Sequence, residues 1–274
     1  MAWHSRYHAH AEREYELHYF LEGAGSFLNH RAKYPIRKES LFLTGPHEFH
    51  SILPDTSRVT KQPISYYAVL FALDPTDREL HQILESQAGK SRDPIFLTAG
   101  DHFIFETLYH QWGGPQVSQK KAAQYLLLSI LYSRYGTNME PAPASAGGWI
   151  HVQKAIELMK RDIKEKYSVK DIARKIGISE EHLIRLFKEH LRISPLQYAL
   201  RLRVEAASGV LIGTNATIKK ISDSFGFENQ FHFSRVFRKC TGLPPSLYRT
   251  YYLQAVDLFP PSTAPGNAEE DGTL

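Results

Sequence analysis

The spacing of apolar positions changes character near the middle of this chain. In the first half, residues 14–21, 26–29, 40–43 and 66–73 form short runs dense in aromatic and aliphatic side chains. Gly23-Ala24-Gly25, Gly45-Pro46 and Pro54-Asp55 punctuate them. Short apolar runs bounded by turn formers read as β-strands. Residues 77–88, 102–112 and 118–135 follow with helical spacing, the last placing Ala123, Leu127, Ile130 and Leu131 on one face. Residues 136–148, rich in Gly, Pro, Ala and Ser, read as a linker. Helical periodicity then runs from Trp149 to about Gln254. Residues 255–274, with their Pro, Asp and Glu, read as a disordered tail.

Within the helical half one pattern occurs twice. Ile172 and Gly177 recur as Ile221 and Gly226 at a separation of 49; Arg185, Phe187, Pro195 and Tyr198 recur as Arg235, Phe237, Pro245 and Tyr248 at a separation of 50. Each copy begins with a short helix. In the first copy its apolar face is Val169, Ile172, Ala173 and Ile176, the i, i+3, i+4, i+7 set. Ser168 and Thr217 stand where N-caps belong, with Asp171 completing a near capping box in the first copy. Gly177 and Gly226 stand where a left-handed residue ends a helix. A second helix follows in each copy, apolar at Leu183, Leu186 and Phe187, and at Phe233, Val236 and Phe237. Two helix-turn-helix units, about 168–189 and 217–240, are therefore predicted, joined by a long helix from Pro195 to Gly213. One glycine-centred helix pair could be an ordinary hairpin with a solvated face. A duplicated one with matched Gly, Arg, Phe, Pro and Tyr points to two readers of DNA groove.

Charge sharpens that picture. Residues 1–148 hold 14 Lys+Arg against 15 Asp+Glu, residues 149–256 hold 19 against 10, and residues 257–274 hold four acids and no base. The net +4 of the 274-residue chain thus conceals a basic segment coincident with the duplicated pattern. Such a segment attracts phosphate and releases counterions on binding. The single cysteine, Cys240, excludes an internal disulfide and a cysteine-rich zinc site and fits a reducing cytoplasm. No signal peptide is read at the N-terminus, and the longest apolar run, 125–132, is too short to cross a bilayer.

The residues carrying these signals resemble the AraC/XylS family of transcription regulators. The resemblance is strong over roughly 150–250. It is carried by Asp171-Ile172-Ala173, Gly177-Ile178-Ser179, Leu183 to Lys188, Ser194-Pro195, Tyr198, Arg201-Leu202-Arg203, Gly226-Phe227, His232 to Arg238, Gly242 and Pro245. It departs at Arg192, where the first unit often has glycine, at Ser222 for the usual alanine, and at Gly209 inside the connecting helix. In the first half, His8-Ala9-His10, Glu16, Gly23, Pro46 and His50 follow the order of the cupin pattern, although Lys38-Glu39-Ser40 replaces the glycine expected before the strand at 40–43.

The resemblance implies an α+β multi-domain fold. Residues 1–135 would form a cupin-like β-barrel with trailing helices that senses an effector and dimerises, and 149–254 an all-α DNA-binding domain with two helix-turn-helix units. It implies a cytoplasmic regulator, usually an activator, that binds double-stranded promoter DNA as a homodimer and engages RNA polymerase. Its small-molecule effector would be carbohydrate-derived; no membrane partner, catalytic residue or cofactor is expected. On the exposed faces of the two reading helices, Glu181, His182, Ile184 and Arg185, with Asn229, Gln230 and His232, are placed to read bases. Lys188, Arg235, Arg238 and Lys239 are placed to hold phosphates. Leu183, Phe187, Phe233, Phe237 and Tyr248 are expected in the core. Glu16 and His18 share one strand face and, with His8, His10 and His50, would line the effector pocket. The less favoured reading has His8, His10, Glu16 and His50 ligating a divalent metal. Its extreme form is a cupin-type metalloenzyme fused to a DNA-binding module.

Overall fold

Strand β1 (Glu14–Glu22) organises the first half because both of its faces are buried. Tyr15, Leu17 and Tyr19 point to one side, where helices cover them; Glu16, His18 and Phe20 point to the other. The computed structural model describes residues 6–29, 32–55, 64–74, 76–87, 94–97, 101–136, 146–164 and 168–258. β1 pairs antiparallel with β4 (Ser40–Thr44) and β6 (Ser65–Ala72), and β7 (Ile95–Phe96) extends β4, giving the sheet order β6-β1-β4-β7. A second sheet, ordered β3-β2-β5, is built from β2 (Gly25–Asn29), β3 (Lys33–Ile36) and β5 (His50–Pro54).

The expected cupin-like barrel is therefore present as two facing sheets rather than a closed ring of strands. Phe20, Phe27, Ile36, Phe42 and Ile52 fill the space between them. β3, β5 and β7 are absent from the sequence reading. They are short, and β3 carries Lys33 and Pro35, which weaken any alternation signal. Helices α1 (Arg78–Gln87), α2 (Asp101–Gly113) and α3 (Val117–Tyr135) pack on the outer face of β1 through Leu80, Ile83, Leu84, Phe105, Ile130 and Leu131. Arg134 of α3 pairs with the buried Asp101 at the start of α2.

Among the described residues every regular element of the second half is a helix: α4 (Ala146–Arg161), α5 (Val169–Ile176), α6 (Glu180–Leu191), α7 (Pro195–Gly213), α8 (Ile218–Ser224), α9 (Gln230–Thr241) and α10 (Pro245–Leu258). α4 begins inside the segment read as linker. Gly148 lies so close to Leu186 that a Cβ there would come within 2.2 Å of its side chain. That glycine serves helix packing against α6 rather than flexibility. α10 in turn runs into the segment read as a disordered tail, reaching Leu258. The rest of the predicted linker, from 137 to 145, and of the predicted tail, from 259 onward, lie outside the described residues.

Arg192, at the end of α6, has φ 60°, and its counterpart Gly242 has φ 80°. The same left-handed cap is thus made once with glycine and once at a steric cost. Arg192→Gly is expected to raise stability by about 1 kcal/mol, read as a higher urea midpoint at unchanged slope; a lower midpoint would refute the strain. Gly209, inside α7, has open space around it, so no close packing offsets its weak helix propensity.

Candidate functional site

Local chemistry fixes each reading helix. Ser168 caps α5, accepting from the Asp171 amide at 3.1 Å, while the Asp171 carboxylate accepts the Ser168 amide at 3.3 Å. Gly177 then turns the chain at φ 79°, and Ser179 caps α6 by accepting from the His182 amide at 3.2 Å. In the second unit Thr217 caps α8 and Gly226 turns at φ 68°. Ile172, Ala173, Ile221 and Ser222 are buried where the paired helices meet. Leu183, Phe187, Phe233, Phe237 and Tyr248 are fully buried, as expected, so the opposite faces of α6 and α9 are fixed outward.

On α6, Glu181, Arg185 and Lys188 are exposed, and His182 and Ile184 are half-buried. Arg185 is held along the helix by Glu189 at 3.1 Å, a pair that solvent weakens and a phosphate or guanine could replace. On α9, Arg235, Arg238 and Lys239 are exposed, whereas Gln230 and His232 are half-buried, the latter against Phe227. Asn229 is the N-cap of α9: its Oδ1 accepts from the Phe231 and His232 amides at 3.0 and 2.9 Å. That commits the carbonyl oxygen to the helix and leaves the amide NH2 as the group that faces outward chemistry. Phe231, which is not in the base-reading set expected from the sequence, is 75% exposed on this same helix. Its signal was available, since the periodicity that buries Phe233 and Phe237 turns Phe231 outward. Two arginines in the basic excess have structural duties. Arg203 donates to the Ile163 carbonyl at 3.0 Å, and Arg249 to the Leu211 carbonyl at 2.8 Å, tying α7 to the end of α4 and α10 to α7.

The sensor histidines gather around one carboxylate. Glu16 Oε2 lies 2.9 Å from both His10 Nε2 and His50 Nε2, 3.4 Å from His18 Nε2 and 3.6 Å from His8 Nε2. All five residues are buried. Strand pairing sets this up: β1 brings in Glu16 and His18, β5 brings in His50, and residues 8–10 run beside residues 46–50, with His8 and His50 exchanging amide hydrogen bonds at 3.1 and 2.9 Å. Burial, with the neighbouring His8 acting in the same direction, pushes the His50 imidazole down to about 4, against the pull of Glu16. One ligand atom from each of His8, His10, Glu16 and His50 falls within 4.8 Å of all the others. Separately, a cleft of about 380 Å³ opens where the sensor meets α4, lined by Arg13, Tyr15, Pro46, Arg78, His81 and Trp149 among others. The sequence did not single out these residues.

The two halves touch through the same region. The Tyr7 amide donates to Tyr248 Oη at 3.1 Å, and the Ala9 amide to Glu205 Oε1 at 3.2 Å. Tyr7 stacks on Phe49, and Phe49 meets Tyr198 edge-on, both with centroids 5.4 Å apart. His47 Nδ1 lies 3.3 Å from Tyr198 Oη.

Known proteins match both halves. Residues 1–108 match the family described as "AraC-like ligand binding domain", and residues 172–251 the one described as "Helix-turn-helix domain". The chain is 26% identical over 255 residues to the Bacillus subtilis (strain 168) HTH-type transcriptional regulator YfiF, covering 89% of this chain and 79% of that protein. It is 24% identical to the raffinose operon transcriptional regulatory protein RafR of Pediococcus pentosaceus, over 86% of this chain and 84% of that one. Among solved structures, ToxT from Vibrio cholerae O395 shares the fold at a TM-score of 0.56, with 16% identity, over 92% of this chain and 94% of that one. Matched in its sensor and in its duplicated helical unit, and aligned along most of its length with regulators of this kind, the protein belongs to the AraC family of DNA-binding transcription regulators.

Proposed function

We propose that this protein is an effector-responsive transcription activator that reads two adjacent major-groove segments of promoter DNA with each protomer. The observation that carries this reading is the joining of two outward-facing reading helices, α6 and α9, by the single helix α7. Nineteen residues of helix span about 28 Å, close to the ~34 Å turn that separates successive major grooves on one face of DNA. Glu181, His182, Ile184 and Arg185 take one groove; Asn229, Gln230 and His232 take the next. Phe231 joins the second set, its ring suited to a thymine methyl. Lys188, Arg235, Arg238 and Lys239 hold phosphates, which position the protein without specifying sequence.

The effector is a polar small molecule, carbohydrate-derived. The cleft beside α4 has a volume ordinary for such ligands, and Glu12, Arg13, Arg78, His81 and Gln82 line it with polar groups. His8, His10, His18 and His50, gathered on Glu16, are read as effector-binding rather than catalytic groups. A second copy of the chain is the partner of α2 and α3, which expose Phe103, Tyr109, Trp112 and Tyr125; RNA polymerase is the downstream contact. The setting is cytoplasmic, where the lone Cys240 stays reduced. Among the described residues no helix is long and apolar enough to cross a membrane.

Gel shifts on a selected duplex and a panel of its single-base variants test the reading. Arg185→Ala is expected to change which bases are preferred, by about 1–3 kcal/mol of discrimination at the affected position, and Phe231→Ala to relax the preference at one thymine. Lys239→Ala is expected to weaken every duplex evenly. Equal loss on all duplexes for Arg185→Ala would remove it from the base-reading set.

A further inference from the structure

The two reading helices are joined to α7 in different ways. At its start, α7 follows α6 through Arg192, Ile193 and Ser194, with Leu191 and Ile193 buried. Ser194 Oγ accepts the Gln197 amide at 3.2 Å and Gln197 Oε1 accepts the Ser194 amide at 3.0 Å, so that join is closed on itself. At its end, α7 stops at Gly213, and residues 214–217 carry the chain to α8 with Thr214, Asn215 and Thr217 exposed. The Thr214 hydroxyl donates to the Val210 carbonyl at 2.8 Å and accepts the Ala216 amide at 3.2 Å, which folds this turn onto the helix end without reaching α9. Gly209 and Gly213 both face open space, with nothing within 4 Å of where a Cβ would stand. Glycine leaves the backbone its widest freedom, so the connection between the two readers is softest in the last turns of α7 and the chain just beyond.

One side chain from α10 bridges that place. Arg249 Nε donates to the Leu211 carbonyl at 2.8 Å, and Arg249 Nη2 donates to the Ala216 carbonyl. Leu211 stands before the turn and Ala216 after it, one residue ahead of the Thr217 cap of α8. Carbonyls in the last turn of a helix lack partners within it, so the guanidinium also satisfies an acceptor that the helix leaves open. The planar fork of a guanidinium fixes direction as well as distance. The apolar core of this region, with Leu211, Ile221, Phe233, Phe237 and Tyr248, holds α7, α8, α9 and α10 together through a force that has no direction of its own. Fifty residues earlier the first unit has Ala199, so the clamp is not a feature of the repeated pattern.

We propose that Arg249 is the positioning residue that sets which separation of the two DNA segments the protein accepts. By holding Leu211 and Ala216 at once it fixes the second unit, and so α9, at one offset from α6. This rests on the reading above in which α6 and α9 take adjacent grooves. Inserting one base pair moves a segment ~3.4 Å along the duplex and turns it ~35° about the axis. Two readers held rigidly cannot follow that change; two readers joined by a loose turn follow it in part. Arg249 acts through the placement of Gln230, Phe231 and His232 rather than by touching DNA.

Full-length protein, with duplexes taken from a random-sequence pool by binding selection, tests the proposal. Arg185→Ala and Gln230→Ala first mark the two segments, as the base pairs at which each relaxes the preference. Fluorescence anisotropy then measures affinity for the selected duplex and for duplexes with one base pair inserted or removed between the segments. The native chain is expected to lose about tenfold or more on either change. Arg249→Met, which keeps an unbranched stem and removes both hydrogen bonds, is expected to lose about threefold or less. Arg249→Lys, which keeps the charge without the fork, is expected to follow Arg249→Met, and it carries the test should Arg249→Met not fold. Discrimination of native size in either variant overturns the proposal, even where that variant binds every duplex more weakly, because even weakening is what a merely destabilised domain gives. A failure of the two-groove reading looks different. The native chain would itself be indifferent to spacing, or Arg185→Ala and Gln230→Ala would relax the same base pairs, and the proposal would fall with it.

Discussion

Phe49→Ala is expected to destabilise both halves of the protein together. Phe49 belongs by sequence to the sensor, immediately before β5, but it is fully buried among the side chains of the helical half. It stacks on Tyr7 and meets Tyr198, which in turn meets Phe187 of the first reading helix with centroids 5.9 Å apart. Removing a buried phenylalanine side chain costs about 3–5 kcal/mol from lost transfer energy and the cavity left behind. For a protein of this size that is a fall of about 10 °C in the melting midpoint. The cavity would open at the joint, so calorimetry should show the helical transition lowered along with that of the sensor. Phe27→Ala, in the separate cluster between the two sheets, serves as the comparison and should lower the sensor alone. A Phe49→Ala scan that leaves the helical transition in place would show that the two cores do not share energy through this residue.

The helical half was largely legible in the sequence because its determinants are local. Caps at Ser168, Ser179 and Thr217, left-handed turns at Gly177 and Gly226, and the apolar faces of α5, α6, α8 and α9 are each set within a few residues, and each forms as predicted. The phenylalanines and Tyr248 expected in the core are there for the same reason. The sensor was less legible. β1 signals itself through Glu16 and His18 alternating with Tyr15, Leu17 and Tyr19, but β3, β5 and β7 acquire their roles only from partners distant in the chain. The joint was invisible to pattern reading. Tyr7 and Phe49 are apolar residues in a sensor segment, and nothing local says that they complete another core. Gly148 misled in the opposite direction, since composition reads it as linker while Leu186 requires its missing Cβ. The gathering of His8, His10, Glu16 and His50 was suggested by residue type and order, but their convergence on one oxygen depends on β1–β5 packing and on residues 8–10 running beside residues 46–50.

Acid is expected to loosen the same joint, with His47 as its sensor. His47 is buried, and burial, helped by Lys160 on α4, pushes its imidazole from the usual 6.5 down to about 4. Tyr198, whose phenol burial pushes far up, stays protonated and donates to His47 Nδ1. Protonating that nitrogen ends its role as acceptor and places a charge between Trp149 and Tyr198. His47 Nε2 has no hydrogen-bond partner among the described residues to share that charge. The folded-state value lies below the unfolded one, so the native state binds the proton less readily. The stability tied to a neutral His47 is thus complete above about 6.5 and is lost as pH falls toward 4. Linkage gives a loss of about 2 kcal/mol by pH 5, approaching ~3 kcal/mol near pH 4. Urea midpoints measured from pH 7.5 to 4.5 should therefore fall for the native chain and fall less for His47→Asn. Asparagine suits the test because it tolerates the φ of 58° at this position. The difference between the two curves isolates His47 from the other buried imidazoles, His50 among them. Parallel curves would mean that protonation of His47 is not what acid acts on at this joint.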